Sequence, residues 1–333
     1  MGWMQTAALT GALVFASNAA GVTDAIAADK TVTLKFANVT SQSAKDAGAM
    51  FKEVAEKESD GTLKINLFND NQLGDDRVAV ETTVFGDIDI ATSSTSPLAT
   101  MFPDFYLFDA PYLFLTSDAA YKALDGDVGQ KILKGMEAKG LKGLTFWENG
   151  FRNFTNNKIA VKKPEDTAGM KIRTMENEIH LAAWKAFGAN PTPMAFTELF
   201  TALQQGTVDG EENPLGIIDG NKFQEVQKYV SLTQHVYTPY VVVMNLKKYN
   251  SLSDKQKAAI DKATKVSTEY QRKQSQAYEK QILAKLEKAG VVVTDLTPAD
   301  KKLWQDRIQD IKLFDRVKAK MAHGAYLDET LKN

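Results

Sequence analysis

The chain has 333 residues, and its 40 Lys and Arg against 42 Asp and Glu give a formal net charge of −2. This near balance gives no electrostatic reason to expect nucleic acid or an anionic membrane surface as a partner. The absence of cysteine excludes thiolate metal sites and cysteine nucleophiles. A chain of this length predicts two domains, each large enough to bury its own core.

The N-terminal segment has the composition of a secretory signal peptide. Its first charged residue, Asp24, follows an apolar and small-residue stretch over residues 7–22. Residues 25–27 (Ala-Ile-Ala) fit the small-x-small rule, so we predict a signal peptide at residues 1–27 that is cleaved before Ala28. The start of the segment carries no Lys or Arg, a departure from the usual signal that leaves a start further upstream open.

Two other interpretations of this segment stay open. An uncleaved membrane anchor competes, although residues 7–22 are short and rich in Ala, Gly, Ser and Asn for a bilayer span. Gly2 with Thr6 matches the myristoylation pattern, but a secretory signal explains more of the segment. A lipid-anchored exported protein needs a cysteine at its processing site, and there is none. We therefore expect a protein that is free in a bacterial periplasm and does not span the membrane once processed.

After this segment, strand-like and helix-like patterns alternate. Apolar and polar residues alternate over 32–36 and again over 63–67, as in half-buried strands. Helical spacing over residues 47–55 separates them, and a helix near Asp76–Phe85 precedes a strand at Ile88–Thr92. Strands that alternate with amphipathic helices predict an α/β fold with a largely parallel sheet.

A second cycle of strands and helices begins near Leu141. Helical spacing predicts three further helices near Glu178–Phe187, Phe196–Gln205 and Pro214–Val226. The segment Tyr240–Asn245 is continuously apolar, as expected of a strand with both faces buried.

The stretch from Ser253 to Lys288 contains neither Pro nor Gly, and its apolar residues recur at helical spacing. Ser253 with Gln256 has the pattern of a capping box, and Gly290 closes the element. A helix of this length reaches on the order of 50 Å at about 1.5 Å per residue, which exceeds the diameter of a small domain. We predict a helix that bridges two domains. A coiled coil is disfavoured because the apolar spacing drifts.

Two arginines on extended segments and an acidic turn are the best candidates for a binding site. The arginines are Arg152 and Arg173, and the turn at residues 208–214 contains Asn213. A guanidinium holds a carboxylate through two parallel hydrogen bonds, so these groups together fit a small organic anion. The alternative is that each arginine serves a structural ion pair with a glutamate of these same segments. Those glutamates are Glu148, Glu176, Glu211 and Glu212.

The motifs of several enzyme classes are missing. His180, His235 and His323 have no neighbours at metal-ligand spacing, and the sequence has no dinucleotide, Walker or nucleophile-elbow motif. The sequence therefore predicts no metal, no cofactor and no catalytic residue. A periplasmic hydrolase stays as an alternative, because two carboxylates can perform acid–base chemistry if they meet. The candidate carboxylates are Asp75, Asp76, Glu211 and Glu212.

Six ordered motifs carry a family resemblance. They are Gln72–Arg77 (QLGDDR), Trp147–Arg152 (WENGFR), Lys171–Arg173 (KIR), Gly188–Phe196 (GANPTPMAF), Ala202–Pro214 (ALQQGTVDGEENP) and Lys222–Lys228 (KFQEVQK). Over residues 32–318, the chain resembles the periplasmic solute-binding proteins of tripartite ATP-independent periplasmic (TRAP) transporters. Within them it is similar to the branch named after dicarboxylate-binding subunits.

The resemblance implies a two-domain periplasmic binding protein of α/β class, type II-like, with a ligand cleft between the domains. Strands and the long helix then cross between domains. We predict domain I at residues 28–150 with 240–280, and domain II at residues 151–239 with 281–333. Such a protein closes on its ligand and removes water from the site, which strengthens ion pairing there.

The resemblance also implies roles for site residues. Arg173, on the Lys-x-Arg strand, is expected to form the main ion pair with a ligand carboxylate. Arg152 and Asn213 are expected to complete the anion site. Phe196 matches an aromatic residue that packs over the ligand, although its place at a helix start also fits the core.

Two first-domain loops, residues 75–77 and 93–96, match loops that face the far end of the ligand. Their candidate contacts are Asp75, Asp76, Arg77, Ser94 and Thr95. Glu211 stands where many relatives have glutamine, so the acidic turn carries more charge than usual. Glu176 falls where sialic-acid binders carry an asparagine, which argues against sialic acid. This carboxylate either accepts hydroxyls from a polyol chain or pairs with Arg152.

The predicted function is capture of a small organic-acid anion and its delivery to the small and large membrane subunits of a TRAP symporter. We expect a monomer. A sugar acid, uronate or aldonate, is the first expectation for the ligand because the site is rich in hydroxyl-binding groups; a C4-dicarboxylate is the second. The alternatives are a sensor that presents its ligand to a membrane receptor and a periplasmic enzyme.

Overall fold

A computed structural model describes residues 1–2 and 30–332. The signal peptide predicted at residues 1–27, with cleavage before Ala28, lies outside the described residues except for its first two. From Thr31 onward the chain forms one compact unit. Within residues 30–332, no helix combines the length and the apolar character that a membrane span requires.

Strands and helices alternate through most of this unit, as the sequence patterns predicted. The strands are β1 Val32–Ala37, β2 Leu63–Phe68, β3 Ile90–Ser94, β4 Leu141–Asn156, β5 Lys171–Thr174, β6 Asn190–Pro193, β7 Gly210–Pro214, β8 Tyr229–Leu232, β9 Tyr237–Asn245 and β10 Val292–Asp295. The helices are α1 Gln42–Glu58, α2 Asp76–Phe85, α3 Ser117–Asp125, α4 Asp127–Gly135, α5 Glu178–Ala186, α6 Leu199–Gln204, α7 Leu215–Gly220, α8 Leu246–Ser251, α9 Asp254–Lys288, α10 Pro298–Asp310, α11 Leu313–Lys320 and α12 Ala325–Leu331.

The sheet confirms the α/β class, but it is mixed rather than largely parallel. Its main path runs β2-β1-β3-β9-β4-β7-β5-β6, with β8 and β10 branching from β4. β1 is parallel to β2 and β3, and β5 is parallel to β6 and β7. β4 and β9 are antiparallel to their neighbours, since they join the two parallel groups instead of belonging to strand–helix–strand units. Apolar periodicity alone does not report strand direction, so the sequence could not predict this.

Strand β4 passes from one parallel group to the other. Its first part, Leu141–Phe151, pairs with β9, and its last part, Arg152–Asn156, pairs with β7. The candidate Arg152 therefore lies where the strand changes partners. This position puts it at the junction of the two groups of strands.

Helix α9 confirms the predicted long helix, including the capping box of Ser253 and Gln256. It packs on α1 and β4, and also on α7 and β10, so it contacts both the helix between β1 and β2 and the helix that follows β7. The side chain of Gln271 binds both backbone groups of Glu148 on β4, each at 2.8 Å. This pair of bonds fixes the helix to the crossing strand.

Two predicted helices are shorter than expected. The segment Phe196–Gln205 starts as a 3-10 turn and becomes α-helical only at Leu199. The predicted helix over Pro214–Val226 ends at Gly220, because Lys222 adopts a φ of +55°, which an α-helix cannot continue. Strand β3 begins at Ile90, two residues later than predicted.

Candidate anion-binding site

A small cavity of about 20 Å³ lies at the junction where β4, β5 and β7 meet. Six predicted site residues line it: Arg152, Arg173, Asn213, Phe196, Asp76 and Ser94. Seven residues that the sequence analysis missed as site residues complete the lining: Val39, Thr40, Asn71, Asn149, Met175, Ile217 and Tyr240. They come from separate elements and form no spacing pattern, although Asn149 stands inside the Trp147–Arg152 motif.

Strand pairing brings the distant candidates together. On the antiparallel pair β4 and β7, Arg152 lies opposite Pro214 and Asn153 lies opposite Asn213. On the parallel pair β5 and β7, Ile172 lies opposite Gly210. Residues that are far apart in sequence therefore come together on the neighbouring strands β4, β7 and β5.

Arg152 has a structural partner. Its Nε lies 2.5 Å from Glu212 Oε2 and its Nη2 lies 2.9 Å from Oε1, and both side chains are fully buried. Burial alone would raise the pKa of Glu212, but Arg152, His180 and His235 hold that pKa well below its usual value. Arg152 Nη2 also donates to Asn213 Oδ1 at 3.1 Å, while its Nη1 is buried without a hydrogen-bond partner.

Arg173 differs from Arg152, because no carboxylate within residues 30–332 forms an ion pair with it. Its Nε and Nη2 donate to the carbonyl oxygen of Met194 at 3.0 and 2.8 Å, and its Nη1 is buried without a partner. Burial and the nearby charge of Arg152 lower the pKa of Arg173 to about 10, so the group stays charged at neutral pH. A buried charge without a counter-ion costs several kcal/mol, and an anion in the cavity would remove that cost.

Phe196 lies beside this guanidinium, with 5.9 Å between the Arg173 Cζ atom and the ring centroid. It is partly exposed and lines the cavity, while its ring also packs at 6.2 Å from that of Phe223. The side chain therefore serves both the cavity wall and the apolar cluster behind it.

Glu211 is buried next to Glu212 on β7, but its hydrogen-bond partners are different. Asn213 Nδ2 donates to Glu211 Oε2 at 2.5 Å. The Thr155 hydroxyl lies 2.8 Å from Glu211 Oε1 and 3.0 Å from Gln227 Oε1, and its single proton cannot satisfy both oxygens. Burial raises the pKa of Glu211 to about 7, so a protonated Glu211 supplies the missing donor over much of the neutral range.

The two first-domain loops contribute unequally to the cavity. The backbone N–H of Ser94 donates to Asp76 Oδ1 at 2.6 Å, and burial raises the pKa of Asp76. Asp75 caps α2 by accepting the N–H of Val78 at 3.1 Å, which is a structural role. The Thr95 hydroxyl donates to the carbonyl of Pro239 at 3.5 Å, and this residue is not part of the cavity lining.

A second, smaller cavity of about 10 Å³ adjoins the first and shares Asp76, Arg173 and Phe196 with it. Arg77 and Glu176 line this outer cavity, and Arg77 Nη2 lies 2.6 Å from Glu176 Oε2. Of the two options for Glu176, the structure therefore has it paired, but with Arg77 rather than Arg152. Both side chains are well exposed, at 42% and 38%.

Glu148, also considered as an arginine partner, faces away from this site. Gln276 Nε2 donates to its Oε1 at 2.7 Å, and the Tyr121 hydroxyl donates to its Oε2. Burial, reinforced by the charge of Glu279, raises the pKa of Glu148 to about 8. Among the four nearby glutamates, Glu212 alone pairs with Arg152 or Arg173 in the described part of the chain.

Comparison with known proteins decides the family. The model of the bacterial extracellular solute-binding proteins, family 7, matches residues 35–314. The chain belongs to this family. It is similar to the 2,3-diketo-L-gulonate-binding periplasmic protein YiaO of Escherichia coli, at 38% identity over 92% of each chain.

Solved members of the family share the fold. The sugar acid binding protein DctPAm of Advenella mimigardefordensis, in complex with galactonate, is 38% identical and superposes with a TM-score of 0.88 over 91% of this chain and 98% of that one. A TRAP periplasmic solute-binding protein of Sulfurospirillum deleyianum with bound succinate is 31% identical, with a TM-score of 0.85 over 90% and 98%. The family resemblance read from the six motifs is confirmed. The chain has the two-domain fold of the TRAP solute-binding proteins, and its function is to bind a substrate for transport.

Proposed function

We propose that the chain captures a small organic-acid anion in the cavity between Arg152 and Arg173 and delivers it to the membrane subunits of a TRAP symporter. One observation carries the site assignment. Both arginines keep a buried Nη1 without a partner on the same cavity, and Arg173 has no counter-ion in the described part of the chain. A carboxylate supplies both the charge and the acceptor oxygens that these groups lack.

The two arginines have different roles in binding the ligand, because their partners within the chain differ. Arg173 forms the main ion pair with the ligand, because no carboxylate of the described residues forms an ion pair with it. Arg152 is already neutralised by Glu212 and contributes one directed hydrogen bond from Nη1. Phe196 covers the carboxylate side, Asn213 orients Arg152, and Asp76 with Ser94 forms the opposite wall.

Domain closure completes the site. Domain I comprises residues 28–150 with 240–280, and domain II comprises residues 151–239 with 281–333. In this division Arg77 belongs to domain I and Glu176 to domain II, so their ion pair favours the closed form. The mature protein begins at Ala28, acts in the periplasm as a monomer, and has no catalytic activity.

A sugar acid, uronate or aldonate, is the first choice of ligand. The relatives from Escherichia coli and Advenella mimigardefordensis, whose names specify a diketo sugar acid and galactonate, are each 38% identical to this chain. The succinate-bound relative is 31% identical. A C4-dicarboxylate is therefore the second choice.

Thermal melting of the protein from Ala28 onward, against a panel of aldonates, uronates, dicarboxylates and keto acids, tests the proposal. A ligand at a hundred times its Kd adds about 2.7 kcal/mol and should raise the Tm by several degrees. The shift should vanish in Arg173→Ala, and the ligand should be recovered chemically unchanged. A panel that shifts wild type and Arg173→Ala equally would reject this site, and a converted ligand would reject the assignment as a binding protein.

A further inference from the structure

Strand β4 carries a bulge beside the anion site. Its pairing with β9 places Glu148 opposite Pro239 and Gly150 opposite Thr238, so Asn149 is an extra residue without a partner in the ladder. Gly150 has a φ of +116°, a conformation that favours glycine. A bulge of this kind turns a side chain out of the regular alternation, and Asn149 is among the residues that line the cavity of the two arginines.

Asn149 and Tyr240 bring unpaired polar atoms to this cavity. Asn149 Oδ1 is buried and makes no hydrogen bond. The hydroxyl of Tyr240 is also buried; the side chain of Ser41 lies near it, but the two do not meet in hydrogen-bonding geometry. Tyr240 lies on β9, opposite Ser94 of β3 on one side and Trp147 of β4 on the other, and its side chain is 2% exposed. Neither residue belongs to the anion-binding set of arginines and Asn213.

Unpaired buried polar atoms select for particular ligand chemistry. An isolated buried donor or acceptor is costly, and a ligand group that pairs with it recovers that cost. A hydroxyl is both donor and acceptor, so it satisfies Tyr240, and it satisfies Asn149 in either orientation of the amide. An ionised carboxylate is an acceptor only, and it would also approach the carboxyl group of Asp76, which lines the same cavity. A methylene group offers nothing to either residue.

We infer that Asn149 and Tyr240 recognise ligand hydroxyl groups and make the site selective for hydroxylated monocarboxylates over dicarboxylates and unsubstituted acids. This inference rests on the proposed function, since it requires one carboxylate at Arg173. It assigns a selectivity role to two residues that carry no charge at neutral pH. It also gives the β4 bulge a function.

The ligand series that tests this keeps the carbon number fixed. Erythronate, succinate and butyrate each have four carbons, and galactonate, adipate and hexanoate each have six. Titration calorimetry on the protein from Ala28 onward should give, in at least one length class, a hydroxylated acid that binds about a hundredfold or more tighter than both of its partners, because sites built for hydroxyls reject analogues that lack them.

Variants then locate the selectivity. Asn149→Ala and Tyr240→Phe should each weaken the hydroxylated acid about tenfold, while binding of the unsubstituted acid of equal length changes less than about threefold. Asn153→Ala and Tyr237→Phe are matched controls, because their buried Oδ1 and hydroxyl are also unpaired but do not line the cavity. Both controls should bind like wild type.

The outcomes separate the two claims. If in both length classes a dicarboxylate or an unsubstituted acid binds wild type as tightly as the hydroxylated acid, and Arg173→Ala abolishes that binding, the proposed function stands and the inference is wrong. The inference is also wrong if Asn149→Ala and Tyr240→Phe keep wild-type selectivity. If no carboxylate of any class binds wild type, the proposed function fails and the inference fails with it.

Discussion

Arg152 and Arg173 face one cavity, each with a buried Nη1 that has no hydrogen-bond partner, but only Arg152 is neutralised by a carboxylate of the described chain. Burial, together with the nearby charge of Arg152, lowers the pKa of Arg173 to about 10, so the charged form of Arg173 is destabilised. A bound anion would accept hydrogen bonds from both Nη1 atoms and would neutralise the charge of Arg173.

Arg173 should matter for binding and not for folding. Arg173→Ala should lose roughly 2–5 kcal/mol of binding free energy, as for truncation of a buried charge pair. Arg173→Lys should also be impaired, because a point charge replaces a planar fork. In the absence of ligand, denaturant unfolding should show both variants at least as stable as wild type. Arg173→Ala removes a buried charge that has no counter-ion, and Arg173→Lys replaces it with a charge that is easier to solvate. Wild-type affinity in both variants would contradict the assignment.

Arg152 should matter for folding as well. Arg152→Ala leaves the fully buried Glu212 without its main counter-ion, which should lower the free energy of unfolding by about 3–5 kcal/mol. The double variant Arg152→Met with Glu212→Gln removes both charges and should recover part of that loss. Urea denaturation of the three proteins measures this. An Arg152→Ala variant as stable as wild type would show that the pair is not structural.

Glu211 should make binding depend on pH. Its pKa is raised to about 7 by burial, so it ionises as the pH passes that value, and its negative charge then opposes a bound carboxylate. Affinity should therefore fall between pH 6 and pH 8.5, by up to about tenfold for each unit by which the ligand raises this pKa. Glu211→Gln should flatten the profile.

The same raised pKa affects stability with a defined sign. The folded state holds the proton of Glu211 more tightly than the unfolded state, so this stabilising contribution is full below the ordinary pKa and is lost as the pH rises through about 7.

Calorimetric titration in buffers of different ionisation enthalpy tests the effect of Glu211 on ligand binding, because it should detect proton uptake on ligand binding near pH 7. Equal pH profiles for wild type and Glu211→Gln would assign the pH dependence to another group.

The Arg77–Glu176 pair should contribute little to affinity. Because both side chains are exposed, solvent screening limits the pair to roughly 0–1 kcal/mol. Arg77→Gln or Glu176→Gln should raise the Kd less than about fivefold, mainly through faster ligand release, and high salt should reduce the difference. The exchange Arg77→Glu with Glu176→Arg should restore wild-type behaviour. A hundredfold loss in either single variant would indicate direct contact with the ligand.

Helix caps and apolar periodicity predicted the helices whose bounds depend only on nearby residues. The bounds of α2 match the prediction, and α9 has its predicted capping box at Ser253, because helix caps and periodicity are read within a few residues. The shorter α7 shows the limit of such signals, since the positive φ of Lys222 has no marker in its residue type. Family motifs extended the prediction to the fold and to the class of function.

The amino-acid sequence was sufficient for the α/β class, the long helix, the two arginines as anion-binding candidates and the family. Tertiary structure alone decided which arginine is neutralised, because the register of β4 on β7 puts Glu212 diagonally across from Arg152, within reach of its guanidinium. It also decided that Asn149 and Tyr240 share the cavity, since a bulge and an antiparallel pairing bring them there from distant segments. Residue type and spacing fix what a side chain can do, whereas its partners depend on strand register, which couples segments more than sixty residues apart.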